Sequence, residues 1–255
     1  MADWITLTVI FIFGTFMGSF FYTLALRYSS GFMKQEPLRA LLSSSRCPGC
    51  DHRLSPLQLL PILGYLFQLG RCRKCGSSIS PWYPVMEILY GLTALSVYLH
   101  FQLSWLGAAL YLVIAASIAI SVVDIRTLSI PPSLLIVVLL ATLYPVIVES
   151  TLKDHLYGAL LMGGFFLVVM LLFPGGFGGG DMKYAVIIGF LLGLELSIVA
   201  LEVSLVSGSL TGVIYALIRG SNLRIKIPFA PFLTLGLVVS LFWGRHILLL
   251  YYGMF

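Results

Sequence analysis

ILYGLTALSVYLHFQLSWLGAALYLVIAASIAISVV, residues 88–123, contains no Asp, Glu, Lys or Arg. Glu87 and Asp124 bracket these 36 residues, which have a short polar break at His100–Ser104. A helix crossing the apolar core of a bilayer takes about 20 residues, so the stretch predicts two spans. Lipid offers no partner to backbone N–H and C=O groups, and helices satisfy them internally. The rest of the chain agrees. Of 255 residues, 59% are hydrophobic and 10% charged, against roughly 25% charged in ordinary globular domains. Mean hydropathy is +1.02. These figures exclude a soluble globule, a disordered chain, a collagen-like chain and a disulfide-rich secreted fold. They predict an all-α polytopic membrane protein.

Working outward, Trp4–Leu26 is a 23-residue charge-free run, too long for a secretory signal core and without a basic start, so it reads as a retained span. Further spans read at about 133–148, 156–173, 184–194, 197–218 and 228–250, making about eight transmembrane helices. Glu195 and Glu202 interrupt the region 184–218, where the division is weakest. Lys and Arg collect on the cytoplasmic side of membrane proteins. With residues 27–82 placed inside, thirteen basic residues fall inside: Arg27, Lys34, Arg39, Arg46, Arg53, Arg71, Arg73, Lys74, Arg126, Lys183, Arg219, Arg224 and Lys226. Only Lys153 and Arg245 fall outside. Both termini are then expected outside. The net charge of +5 concerns the sides of a bilayer and not nucleic acid. Asp124 ends the third helix and Asp181 precedes the sixth, so both are expected at the cytoplasmic face. The chain divides by composition into a first transmembrane helix (1–26), a cytoplasmic four-cysteine segment (27–82) and a multi-helix membrane domain (83–255).

All four cysteines lie in that segment. Cys47-Pro-Gly-Cys50 is followed after 21 residues by Cys72-Arg-Lys-Cys75. Two such pairs have the spacing of a structural four-thiolate Zn2+ site, each pair forming a knuckle. Gly49 and Gly76 are expected to supply the turn freedom of the knuckles. A 56-residue segment has too little core to hold itself together, so a metal staple makes physical sense. Two disulfides are the competing reading, disfavoured by a cytoplasmic location. His52 is surplus to a filled site. The stretch from Leu59 to Leu66 between the knuckles is unusually apolar; it forms either a small core or a surface resting on the membrane.

Three acids stand at helix edges. Glu87 lies about one turn inside an apolar helix, a costly place that marks function or a snorkelling side chain. Asp124 heads the segment running to Pro132, and Asp181 closes the glycine run Gly175-Gly176-Phe177-Gly178-Gly179-Gly180. Glycines at this place, Gly178 and Gly180 among them, let backbone approach a substrate closely. Each Asp either pairs locally, with Arg126 or Lys183, or joins the other in a shared site. Two carboxylates sharing a proton suit peptide hydrolysis, one taking a proton from water while the other polarises the carbonyl. Gly-x-Ser-x-Gly and His-Glu-x-x-His are both missing from the sequence. Helix ends predict an asymmetry: Asp181 near an N-terminus charged, Asp124 at a C-terminus neutral.

The ordered set Gly18-Ser19-Phe20, the cysteine pairs, Tyr83-Pro84-Val85-Met86-Glu87, Asp124 with Ile130-Pro131, and Gly178-Gly179-Gly180-Asp181-Met182-Lys183 resembles the type IV prepilin peptidases of the bacterial inner (cytoplasmic) membrane. The resemblance implies an aspartyl endopeptidase with Asp124 and Asp181 as its dyad. It implies prepilin or pseudopilin substrates, of type IV pili or type II secretion, cut after a short basic leader at the cytoplasmic face. It also implies N-methylation of the new terminus with S-adenosylmethionine, carried by Glu87 and the cysteine segment. Gly178, Gly180 and Lys183 fall in the substrate-side loop. Two departures bear on substrate handling and methylation: Tyr22 stands where the family commonly has Asn, and Pro132 where it commonly has Asp. A different class, an ion- or solute-coupled transporter using intramembrane acids, predicts inverted repeats and acids near mid-bilayer.

Overall fold

The computed structural model describes residues 3–35, 41, 43–149, 151–173, 175–219 and 227–253, without the side chains of 34, 35, 149, 219 and 252. Arg39, Arg224 and Lys226 of the charge pattern lie outside the described residues. The chain separates into two compact units, Met1–Leu103 and Ser104–Phe255. Secondary structure among the described residues is helical apart from two isolated bridges.

In the first unit, α1 (Trp4–Ser29) and α4 (Trp82–Phe101) pack along a seam of small residues. A Cβ at Gly14 would lie 2.7 Å from the Gly91 Cα, and one at Gly18 would lie 2.9 Å from the Glu87 Cα. Glycines permit this approach where dispersion, not the hydrophobic effect, must hold apolar helices together. Between the two helices run α2 (Phe32–Gln35), a 3₁₀ turn at Pro56–Leu59 and the short α3 (Leu63–Phe67).

The second unit holds α5 (Trp105–Thr127), α6 (Pro132–Glu149), α7 (Leu152–Leu172), α8 (Gly179–Arg219) and α9 (Ala230–Gly253). The Ser104 hydroxyl accepts the Gly107 N–H and caps α5 where the polar break was expected. Six helices among the described residues are long and apolar enough to cross a membrane, and α6 is a shorter apolar helix over Pro132–Val148. The chain is a membrane protein.

At 41 residues, α8 would be about 60 Å long if straight, twice the apolar core of a bilayer. It is not straight. Gly193 has φ 72° and ψ −177°. The Ser197 hydroxyl reaches the Gly189 carbonyl at 3.4 Å, although eight helical residues rise about 12 Å. The chain therefore folds sharply here, two residues before the Glu195 interruption. The Asp154 carboxylate accepts the Leu194 N–H at 3.3 Å, satisfying a donor at the start of the second limb. Gly158 of α7 and Gly189 of α8 meet backbone to backbone, and a Cβ on either would collide with the other's carbonyl oxygen.

Candidate functional site

Asp124 sits in the last turn of α5, which Leu128 closes in the left-handed conformation while donating its N–H to the Asp124 carbonyl. Asp124 is 4% exposed. The carboxylate accepts the Ala230 N–H, the first of α9, at 3.0 Å, and the Phe229 N–H points to it as well. These donors have no partner within their own helix, so an anion at the helix start is favoured. Asp181 lies in the first turn of α8 and half-buried; its carboxylate accepts the Gly178 N–H at 2.9 Å, while its own N–H donates to the Gly178 carbonyl at 3.1 Å.

Two contacts and a Coulombic interaction link these residues. Phe177, just ahead of Asp181, lies edge-on to Phe229, ring centroids 4.7 Å apart, and both rings pack on Phe166. A Cβ at Gly180 would lie 3.1 Å from the Ile130 Cβ, so the start of α8 rests on the connection leaving Asp124. Asp181 is within Coulombic reach of Asp124.

Several details differ from the sequence reading. Gly179 and Gly180 already belong to α8 rather than to a loop, and of the glycine run only Gly175 has positive φ among the described residues. Pro174, just before the run, lies outside the described residues. Gly180 serves close approach, not dihedral freedom. Arg126 and Lys183 are exposed, and the hydrogen bonds described for the two aspartates run to backbone N–H groups instead. Asp124, at the C-terminus of its own helix, also faces the N-terminus of α9, so helix ends alone do not divide the two acids. Both carboxylates accept helix-start donors.

One helical turn from the acids lies a layer that the sequence reading missed. The buried Tyr184 hydroxyl meets the Thr234 hydroxyl at 2.8 Å, which meets the Ser121 hydroxyl at 2.8 Å. The Ser121 hydroxyl also reaches the Ser117 carbonyl at 2.9 Å. The Thr234 hydroxyl reaches the same Ser117 carbonyl at 3.2 Å, so the three hydroxyls form one network that ends on this acceptor. Tyr184 follows Asp181 by three residues, Ser121 precedes Asp124 by three and Thr234 follows Ala230 by four. The network thus ties α8, α9 and α5 directly behind the acids.

In the first unit the four cysteines are free thiols. Their sulfurs lie within 4.8 Å of one another, with Cys47–Cys75 at 3.8 Å and Cys50–Cys72 at 4.0 Å. A tetrahedron with Zn–S bonds of 2.3 Å has edges of about 3.8 Å, so the donor set fits zinc. The knuckles match. Cys47 and Cys72 donate their N–H groups to the His52 and Ser77 carbonyls, and accept from Asp51 and Gly76. Positive φ falls on Asp51 and Gly76, not on Gly49. Gly49 instead makes room, since its Cβ would lie 3.0 Å from the Ser77 hydroxyl. That hydroxyl pulls the Cys47 thiol down to about 6 and lowers Cys75 as well, while the backbone bond from His52 fails to offset burial and the neighbouring thiols, which push Cys50 up to about 11. His52 is half-buried and outside the sulfur cluster.

Glu87 is 6% exposed and occupied. Its carboxylate accepts the Ile62 N–H at 2.6 Å and bonds to the Ser19 hydroxyl. Ile62 carries φ +62°, an uncommon conformation for a β-branched residue, held by this bond. Beside Ser19 opens a cavity of about 230 Å³ lined by Ser19, Thr23, Arg27, Ser43 and Ser45 together with apolar side chains. Tyr22 is buried edge-on to Tyr83, ring centroids 5.1 Å apart, and Pro132 is exposed at the start of α6.

Residues 12–101 match the bacterial peptidase A24 N-terminal domain, and residues 111–217 match the type IV leader peptidase family. A prepilin leader peptidase/N-methyltransferase of Bacillus subtilis (strain 168) is 32% identical, the match covering 97% of this chain and 98% of the relative. The chain belongs to the type IV leader peptidase family. Relatives of the same description occur in Stutzerimonas stutzeri (31% identity, 81% of this chain, 74% of the relative) and Pseudomonas aeruginosa (28%, 84% and 76%). No solved structure matches the chain.

Proposed function

We propose that this leader peptidase family member cleaves the basic leader from prepilins or pseudopilins with Asp124 and Asp181 as a dyad. The observation that carries the reading is the closure of α9 and the Phe177–Phe229 contact around the two carboxylates. One carboxylate takes a proton from the attacking water; the other, protonated, donates a hydrogen bond to the scissile carbonyl. The two titrate as a unit, so neither role is assigned to one residue. The exposed Gly178 leaves backbone accessible to the substrate, Gly180 lets the start of α8 rest on Ile130, and Lys183 is exposed nearby.

The bend at Gly193 lets the two limbs of α8 serve as separate crossings, which with α6 makes eight. Residues 27–82 and both acids then face the cytoplasm and both termini face outward, in the inner membrane, as the distribution of Lys and Arg supports. Cys47, Cys50, Cys72 and Cys75 hold structural zinc.

The N-methyltransferase activity named for the relatives supports methylation of the new N-terminus here. S-adenosylmethionine would supply an activated methyl group. Arg27 offers a cation for its carboxylate, and Ser19, Thr23, Ser43 and Ser45 offer hydroxyls in the cavity beside them. Glu87 bears on that cavity by holding Ser19.

The test is a prepilin labelled at its N-terminus, incubated with wild type, Asp124→Asn and Asp181→Asn. Release of the labelled leader is expected from wild type alone, and cleavage by either variant would refute the dyad. Product mass with and without S-adenosylmethionine reads methylation separately.

A further inference from the structure

The short helix α3 is built inside out. Gly64 and Gln68, one turn apart, point inward: Gln68 is 7% exposed and donates to the Gly64 carbonyl at 2.7 Å, while its own carbonyl oxygen accepts from the Gln58 amide at 3.2 Å. Leu63, Leu66 and Phe67 occupy the outer face, Phe67 at 60% exposure, and the flanking Leu57 and Leu69 stand out further, Leu69 at 88%. In water this arrangement buries the polar residue and wets the apolar ones, the reverse of what burial energetics select. It requires an apolar neighbour.

Two contacts set the depth of this element against the helices it joins. Ile62, just before α3, bonds to Glu87, five residues inside the start of α4 and so about 8 Å along it. Leu59 shares a cavity wall with Phe20 and Leu24 of α1. Ser19, bonded to the same Glu87, lies eight residues before Arg27, or about 12 Å back along α1 from it. With the edge of the lipid taken at Arg27, where the apolar run of α1 ends, a segment at that level stands beside lipid and not above it. Cations rim it: Arg73 donates to the Phe67 carbonyl at 3.0 Å, and Arg71 and Lys74 are exposed beside it. An apolar face with a basic margin at this depth is the pattern of an interfacial element, with side chains in the acyl boundary and cations among anionic headgroups.

We propose that residues 57–69 insert Leu57, Leu63, Leu66, Phe67 and Leu69 into the anionic lipid interface next to α1 and α4, so that the cysteine segment is anchored in the membrane and not held above it. The occupant is lipid. The element keeps the zinc knuckles and the Ser19–Glu87 cavity at the level where a membrane-embedded substrate helix enters water.

The experiment uses the zinc-loaded chain of 255 residues in phosphatidylglycerol nanodiscs. Hydroxyl-radical footprinting of the unsubstituted protein is expected to leave Phe67 and Leu69 as protected as Leu160, an exposed residue of the apolar helix α7, while Ser78 beside a knuckle reacts. Labelling of Phe67 to the same extent as exposed Ser78, each rate normalised for the intrinsic reactivity of its side chain, would overturn the proposal. A photoreactive benzophenone amino acid at position 66 or 69 then identifies the occupant. Lipid adducts that decline when phosphatidylcholine replaces phosphatidylglycerol are expected. Adducts to a second copy of the chain or to added prepilin, with lipid adducts retained at position 160, would also overturn it. The readout is independent of cleavage, so its failure is separable from failure of the dyad.

Discussion

The carboxylate of Asp124 accepts the backbone N–H of Ala230 at 3.0 Å, across 106 residues of chain. One side chain therefore has two duties: it supplies an acid to the proposed dyad and it satisfies the start of α9. Substitutions separate them. Asn keeps an oxygen acceptor and loses the acid, whereas Ala leaves the buried N–H unpaired. Asp124→Asn is expected to abolish leader cleavage with an unfolding temperature close to wild type in detergent. Asp124→Ala is expected to abolish cleavage and also to lose about 1–3 kcal/mol of stability. Equal stability of the two variants would show that the α9 cap contributes nothing.

Tyr184, Thr234 and Ser121 bridge three helices one turn behind the acids. Tyr184→Phe removes a single hydroxyl from a filled site. It is expected to cost about 1 kcal/mol of stability. It is also expected to lower kcat for prepilin about tenfold, equivalent to about 1.4 kcal/mol of barrier, with little change in KM. Thr234→Val should do the same, and the double variant should lose little more, because both substitutions remove the same Tyr184–Thr234 bond. Additive losses would argue that the hydroxyls act separately.

Gly158 and Gly189 allow α7 and the first limb of α8 to touch through their backbones. A methyl group at either position meets a carbonyl oxygen of the facing helix, which cannot swing aside as a side chain can. Gly158→Ala is expected to destabilise the protein by about 1–3 kcal/mol, read as a lower unfolding temperature in detergent. Gly164, which meets nothing within 4 Å, is the matched control, and Gly164→Ala is expected to leave that temperature nearly unchanged.

The four sulfurs lie within 4.8 Å of one another, and two of the pairs, at 3.8 and 4.0 Å, are near the edge length of a zinc–thiolate tetrahedron. Metal analysis of the purified protein is expected to give about one zinc per chain. Cys72→Ser is expected to lose it. Without metal, the knuckles keep their short backbone bonds and the exposed Arg46–Asp51 ion pair, and proteolysis within residues 43–80 should accelerate while α5 to α9 stay resistant. Zinc retention by Cys72→Ser would argue against a four-thiolate site.

Much of this protein is readable one residue at a time. Charge is so scarce that Glu87, Asp124 and Asp181 stand out, and two Cys-x-x-Cys pairs announce a metal site by ligand type alone. The helices follow from apolar runs whose length matches a bilayer, a constraint local to each segment. What the sequence could not convey depends on partners distant in the chain. The cap on Asp124 is a backbone N–H, identical in every residue except proline, so nothing in the letters around Ala230 marks it. Serine and threonine in an apolar helix commonly bond to their own preceding turn, as Thr142 and Ser204 do, so the bridge from Tyr184 through Thr234 to Ser121 has no distinguishing pattern. Gly193 reads as one glycine among many until the chain is seen to fold there. The sequence by itself determined that this is a helical membrane protein with acids and thiols in separate segments, because hydropathy and ligand chemistry belong to residues. Only the tertiary structure decided which backbone donors meet the acids, and which way α3 faces, because those are properties of packing between segments.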